Sequence, residues 1–251
     1  MQKHYCTNCG NLLAGKYCCN CGQPADTHRI SAAYFLHDIP HSILHVDKGL
    51  FYTFWQLLKN PGAMLTNYLQ GRRAKHFKPI AYVLMLSAIS VLLAHWNVRL
   101  IQYLQHQKTG SSIHVTEHFF TKYQSAFILI MIPIVSIITW LVFKKNKYNF
   151  WEHMLANTYM AAQLNVLIIL LHIFILARYL LTGSLQYPYI FYTTIFMTGF
   201  MTYYALTFST LMQGGQQSWK LGLKLGIMCF LLASIYATGM AVSGISFPQF
   251  H

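Results

Sequence analysis

The chain has 251 residues, 55% of them hydrophobic and only 9% charged, with 18 Lys and Arg against 5 Asp and Glu and a formal net charge of +13. A soluble domain normally carries about a quarter of its residues as Asp, Glu, Lys or Arg, so this composition excludes an ordinary soluble enzyme and a disordered chain alike. The basic excess fits nucleic acid or an anionic membrane surface, and the placement of the charges must decide between them.

Five of the six cysteines crowd the N-terminal region as Cys6-Thr-Asn-Cys9-Gly and Cys18-Cys19-Asn-Cys21-Gly, and Cys229 stands alone in an apolar run. The first residues lack the apolar stretch of a cleavable signal. Two thiolates three positions apart grip one metal ion from a tight loop, the following Gly permits the left-handed turn, and two such loops complete a tetrahedron. Residues 1–25 therefore read as a zinc ribbon with Cys6, Cys9, Cys18 and Cys21 as ligands and Zn2+ as cofactor. Cys19 can replace Cys18 or serve as a redox thiol, but the duplicated spacing favours it as a bystander. Four thiolates leave no open coordination position, so the expected role is structural: the ribbon braces the rest of the chain or offers a small surface to a protein partner.

Residues 26–78 read as a cytoplasmic amphipathic juxtamembrane segment, too short in its apolar runs to span. His37, His41 and His45 recur at helical spacing near Asp38 and Asp47, which allows a second metal site. The competing reading is an interfacial helix whose polar face is His-rich, with Pro40 interrupting the stripe. Arg72, Arg73, Lys75 and Lys78 directly precede the first long apolar run. They read as contacts to anionic lipid headgroups, each worth about 1 kcal/mol near the surface. Nucleic acid is not expected as a partner, because these bases lie flush against the membrane.

The order CxNCG, YCxxCGQ, an HD…H segment, DKGLFYT, LLKNPG and YLQGRRAKHFKP, followed by an apolar span, resembles the bacterial membrane proteins grouped as domain-of-unknown-function family 3667. The resemblance covers about residues 5–95. It implies a multi-pass membrane protein with a cytoplasmic zinc ribbon, and it implies no activity. Cys19 departs from the family pattern, which usually has an apolar residue or Pro there.

A membrane helix needs about 20 mostly apolar residues to cross about 30 Å of hydrocarbon. Five segments qualify in residues 79–251: about 80–96, opened by Pro79; 125–143, containing Pro133; 154–181; 187–212; and 221–242. Only Arg99, Lys108, Lys122 and Arg178 fall on one side of this arrangement, and the other Lys and Arg fall on the opposite side. Basic residues are retained in the cytoplasm. The expected fold is an all-α membrane protein, a five-transmembrane-helix bundle with the N-terminus inside, the C-terminus outside, and a small N-terminal zinc ribbon. Its expected place is the bacterial inner membrane, with residues 97–124 as the one sizeable outer loop.

Polar residues inside such a bundle are costly and therefore informative. Asn157, Asn165 and His172 share one side of the third span, with Gln163 opposite, and Thr194, Thr198 and Thr202 form a stripe on the fourth. These residues either line a hydrophilic crevice or bond neighbouring helices together, and packing is the favoured reading. No span carries a central carboxylate, and no GxSxG, phosphate-loop or HExxH pattern is present. His114 and His118 beside Glu117 read as a chance surface pair. The expected function is a non-enzymatic scaffold or protein-interaction platform, and the alternative is a transporter or lipid-handling protein using the polar faces of the third and fourth spans.

Overall fold

The computed structural model describes residues 5–35, 49–110, 119–183, 189–212 and 218–242. Its helices are a single turn at 32–35 (α1), Leu50–Lys59 (α2), Pro61–Leu69 (α3), Pro79–Thr109 (α4), Phe119–Val142 (α5), Phe150–Thr182 (α6), Tyr189–Met212 (α7) and Ser218–Val242 (α8). Among the described residues there is no strand, only two isolated bridges, Tyr5 with Leu12 and Tyr17 with Pro24. The helices α4, α5 and α6 are long and apolar enough to cross a membrane.

Local sequence accounts for most helix boundaries. Pro61 and Pro79 occupy the first turns of α3 and α4, where a missing N–H costs nothing, and Asn60 caps α3 by accepting the Ala63 amide. Asn149 and Glu152 form a capping box at the start of α6. Gly110 and Gly183 end α4 and α6 in the left-handed conformation that glycine adopts without strain.

The stretch 97–124, read from hydropathy as an outer loop, is helical through Thr109 and again from Phe119. Hydropathy falls after Trp96, but the polar run that follows contains good helix formers and keeps one face against α6. Asn97 Nδ2 donates to the His172 carbonyl at 2.8 Å, and Tyr179 donates to Gln105 Oε1 at 2.9 Å. Low hydropathy ends a membrane-length apolar run without ending a helix.

The central element is α6, which packs on α4, α5 and α7. Nearly every side chain from Glu152 to Asn165 is buried, so this half of α6 is enclosed on all sides, whereas Leu170, Ile173, Leu180 and Leu181 further along are exposed. Tyr159 lies at the centre of this core: its ring meets those of Tyr68 and Tyr82, and its hydroxyl donates to the Phe77 carbonyl at 2.6 Å.

Two glycines of the NPG and DKG motifs permit close backbone approach. A Cβ at Gly62 would collide with the Thr210 side chain of α7, so α3 can lie against α7 only with glycine there. A Cβ at Gly49 would stand 2.6 Å from the Lys75 carbonyl oxygen and 3.0 Å from the Phe77 nitrogen. Gly49 has φ −84°, ordinary for any residue, so the cost of a side chain there is steric. Gly49→Ala should therefore destabilise the protein by about 1–3 kcal/mol through forced displacement of α2. Thermal unfolding in mild detergent checks this, and an unchanged midpoint would show that the contact is not a constraint.

Candidate metal centre

The two CxxCG elements fold as near-copies of one another. In the first loop the Cys6 amide donates to the Asn11 carbonyl (2.8 Å) and the Gly10 amide to the Cys6 carbonyl (2.9 Å). In the second the Cys18 amide donates to the Gln23 carbonyl (2.8 Å) and the Gly22 amide to the Cys18 carbonyl (2.9 Å). Gly10 and Gly22 take φ of +76° and +72°, which is why glycine follows each second cysteine.

This geometry brings Cys6, Cys9, Cys18 and Cys21 together, with all four sulfurs within 4.8 Å of one another. Cys6 Sγ lies 3.6 Å from Cys21 Sγ, and Cys9 Sγ lies 3.5 Å from Cys18 Sγ. A disulfide needs about 2.05 Å, and all four thiols are free. Four sulfurs each about 2.3 Å from a shared ion stand about 3.8 Å apart at the corners of a tetrahedron, so the cage fits a metal ion. Amide N–H groups of Cys9 and Asn8 hold the Cys6 thiol below its usual range, and the Asn11 amide does the same for Cys9. Burial pushes the Cys21 thiol up to about 11. Cys19 is exposed and stands outside the cage.

The cysteine loops are docked onto the helical domain through one side chain that sequence reasoning did not single out. Gln23, 1% exposed, donates from Nε2 to Thr7 Oγ1 at 2.7 Å, and its Oε1 accepts the amides of Arg73 (2.9 Å) and Ala74 (3.1 Å). Thr7 donates in turn to the Gly71 carbonyl at 3.3 Å. The residue directly after the second CxxCG thus ties both cysteine loops to the turn between α3 and α4.

A second tie follows a few residues later. The Arg29 guanidinium makes two 2.8 Å bonds to the Glu152 carboxylate and one of 2.5 Å to the Lys147 carbonyl, and Glu152 holds Arg29 above its usual range. Glu152 is buried whereas the Arg29 side chain is 60% exposed, so solvent screens the pair and its contribution falls below that of a fully buried one. Asn149 adds a bond to the Ile30 carbonyl at 3.0 Å. The Glu152 carboxylate that closes the capping box of α6 thus also binds a residue 123 positions away.

The basic residues before α4 divide by environment. Arg72 and Lys75 are exposed, with Arg72 reaching Asn67 Oδ1 at 3.3 Å. Arg73 turns inward, donating to the carbonyls of His28 (2.9 Å) and Tyr68 (3.2 Å), with its guanidinium against the rings of Tyr34 and Tyr68. Lys78 is half-buried.

The polar residues of α6 meet different neighbours. Asn157 donates to Ser136 Oγ (3.2 Å) and Thr139 Oγ1 (3.0 Å) of α5 and accepts from the Tyr204 hydroxyl of α7. Asn165 donates to Ser87 Oγ of α4 at 3.1 Å, and its Oδ1 is buried without a partner. His172 is half-buried and accepts from Asn97 through its carbonyl. Thr194, Thr198 and Thr202 are exposed; Thr198 and Thr202 bond the carbonyls one turn back. The two polar sets do not converge on one crevice. His37, His41 and His45, with Asp38 and Asp47, and the His114, Glu117 and His118 group lie outside the described residues.

Fold and site together define an all-helical, membrane-type protein carrying a four-cysteine cluster that can hold a metal ion. Residues 47–91 match the model of a family described as Protein of unknown function (DUF3667), and over that segment the chain is similar to its members. The match contains Gly49, the NPG turn, the basic turn before α4 and the first part of α4. No curated protein and no solved structure matches the chain.

His76 gives the docking region a pH dependence. Its ring sits 5.2 Å from that of Tyr52 and 5.9 Å from that of Tyr68, its Nδ1 is buried without a partner, and burial pulls its pKa down to about 4. The unfolded chain takes up this proton near pH 6.5 and the folded chain near 4, so the His76 contribution to stability is intact above about pH 6.5 and is lost on going down to about pH 4. His76→Phe keeps the ring packing. It should flatten the acid limb of the stability profile between those values, measured as the difference from wild type; parallel profiles would contradict the assignment.

Proposed function

We propose that the protein is a non-enzymatic scaffold of the bacterial inner membrane, in which a cytoplasmic zinc ribbon over residues 1–25 is held rigidly on a five-helix membrane domain as a platform for a protein partner. The observation that carries this reading is the four-cysteine cage locked to the helical domain by Gln23. A closed tetrathiolate site serves as a folding centre, and Zn2+ is the ion whose preferred number, geometry and softness match it. Within residues 1–25, Tyr5, Leu12 and Tyr17 are exposed, and they offer aromatic and aliphatic anchors of the kind that protein interfaces use.

In this reading residues 26–78 join the ribbon to the bundle, residues 79–251 form the membrane domain, and α7 and α8, with 24 and 25 residues, are the fourth and fifth spans. The ribbon end of the helices gathers Arg72, Arg73, Lys75, Lys78, Lys144, Lys145, Lys147, Lys220 and Lys224, whereas Arg99, Lys108 and Arg178 lie towards the other end. This asymmetry supports a cytoplasmic ribbon and an external C-terminus. The exposed Arg72 and Lys75, with Lys78, contact anionic headgroups; Arg73 contributes mainly to docking. Nucleic acid is no partner.

The bonds of Asn157 and Asn165 to three neighbouring helices support packing for the polar residues of α6. One observation favours a second reading, transport or lipid handling: Asn165 Oδ1 and both ring nitrogens of His153 are buried without partners, as they would be along a hydrated path.

The test combines metal analysis with capture of a cross-linked partner from native membranes. Wild type should carry about one zinc per chain. Cys6→Ser and Cys21→Ser should lose both metal and partner while still inserting, and Gln23→Ala should keep the metal and lose the partner. Partner capture that survives loss of zinc would overturn the platform. A flux into proteoliposomes that Asn165→Leu abolishes without lowering stability would establish the second reading.

A further inference from the structure

The helix α2 is amphipathic in an uneven way. Thr53 and Leu57 face inward and are fully buried, while Phe51, Trp55 and Leu58, at helical spacing on the other side, are 82%, 55% and 48% exposed. From Leu50 to Leu69 the only charged residue is Lys59, and its ammonium lies 4.9 Å from the centre of the Trp55 ring. A large aromatic face of this kind in contact with water is unfavourable by about 25 cal/mol for each Å².

The position of α2 along the bundle bears on what covers that face. The Tyr203 hydroxyl of α7 donates to the Leu57 carbonyl at 2.9 Å, and Gly62, just past the turn into α3, lies against Thr207 and Thr210. These α7 residues stand two to nine positions inside its ribbon-side end at Met212, about 3–13 Å along the helix. At its other end α2 is held to the turn before α4, through Gly49 against Lys75 and through the Phe77 amide donating to Thr53 Oγ1 at 2.7 Å. The α2–α3 corner therefore lies beside the last turns of α7, not beyond them, and Leu206 in the same turns of α7 is exposed as well.

We infer that α2 is embedded in the ribbon-side leaflet, with Phe51, Trp55 and Leu58 among acyl chains at the headgroup boundary. The partner of this face is lipid. Lys59 fits that depth: its stem runs back along α2 over Trp55, the direction in which a lysine snorkels to reach headgroups. The Asn60 cap and the Asn60 amide bond to the Gln56 carbonyl satisfy the backbone at the turn, which low-dielectric surroundings require. The inference rests on α7 being a span, and it moves part of the juxtamembrane segment from the cytoplasm into the membrane.

Tryptophan emission in nanodiscs containing phosphatidylcholine brominated along its acyl chains provides the test, with acrylamide as the aqueous quencher. The contribution of Trp55 is read as the difference between wild type and Trp55→Phe, a change that preserves an aromatic ring. The expected result is that Trp55→Phe removes a component quenched by brominated lipid and resistant to acrylamide. Quenching of that component by acrylamide alone would place Trp55 in water, and quenching by neither would place it under protein, a second copy or a partner; either result overturns the inference. Leu206→Trp, made in the Trp55→Phe background, reports on α7 separately. If it is quenched by brominated lipid while Trp55 is not, the α2 inference fails alone; if it is not quenched, the span reading of α7 fails.

Discussion

The rest of the structure depends on satisfying an irregular stretch of backbone, residues 71–77, held against the end of a helical bundle. Its polar groups cannot all rely on water, and each one that is shielded must find a partner or cost about 1–3 kcal/mol. The partners come from four directions. Gln23 accepts the amides of Arg73 and Ala74, Thr7 bonds the Gly71 carbonyl, Thr53 of α2 accepts the Phe77 amide, and Tyr159 of α6 donates to the Phe77 carbonyl. The cysteine loops, the short helices and the bundle are assembled on one turn because that turn needs all of them.

That arrangement changes the role of the cysteine cage. A pair of loops this small has almost no apolar core, and a metal ion held by the four cysteines would supply folding free energy to it. Once folded, it positions Gln23, whose amide has both halves engaged in opposite directions. The Arg29–Glu152 pair then fixes the exit from the cysteine loops onto α6, with the α6 capping box sharing the same carboxylate. The four-cysteine cluster is in this way coupled mechanically to the helices, through neutral amide bonds at the centre and a screened ion pair at the rim.

The polar groups of α6 follow the same logic inside the bundle. Asn157 joins α6 to α5 and α7, Gln163 and Asn165 join it to α4 through Tyr82 and Ser87, and Asn97 and Gln105 meet it further along. Helices with equally greasy surfaces gain little from the hydrophobic effect when they associate in lipid, so register has to come from hydrogen bonds and close packing. Thr198 and Thr202 of α7 bond carbonyls one turn back in their own helix, which lets them sit on an exposed face without unsatisfied donors.

Spacing alone determined the cysteine cage: a CxxCG loop closes on itself within a few residues, so its geometry is local and legible. Apolar run length likewise marked α4, α5 and α6. Pro79 marked a helix start for the same local reason. What only the tertiary structure decided was the partner of each polar side chain. Gln23, Arg29 and Arg73 look like ordinary surface residues in sequence, and their bonds join positions tens of residues apart, where no periodicity carries information. The continuation of α4 past Trp96 and the depth of α2 beside α7 belong to the same class, because hydropathy measures preference for lipid and is silent about which neighbour a helix finds.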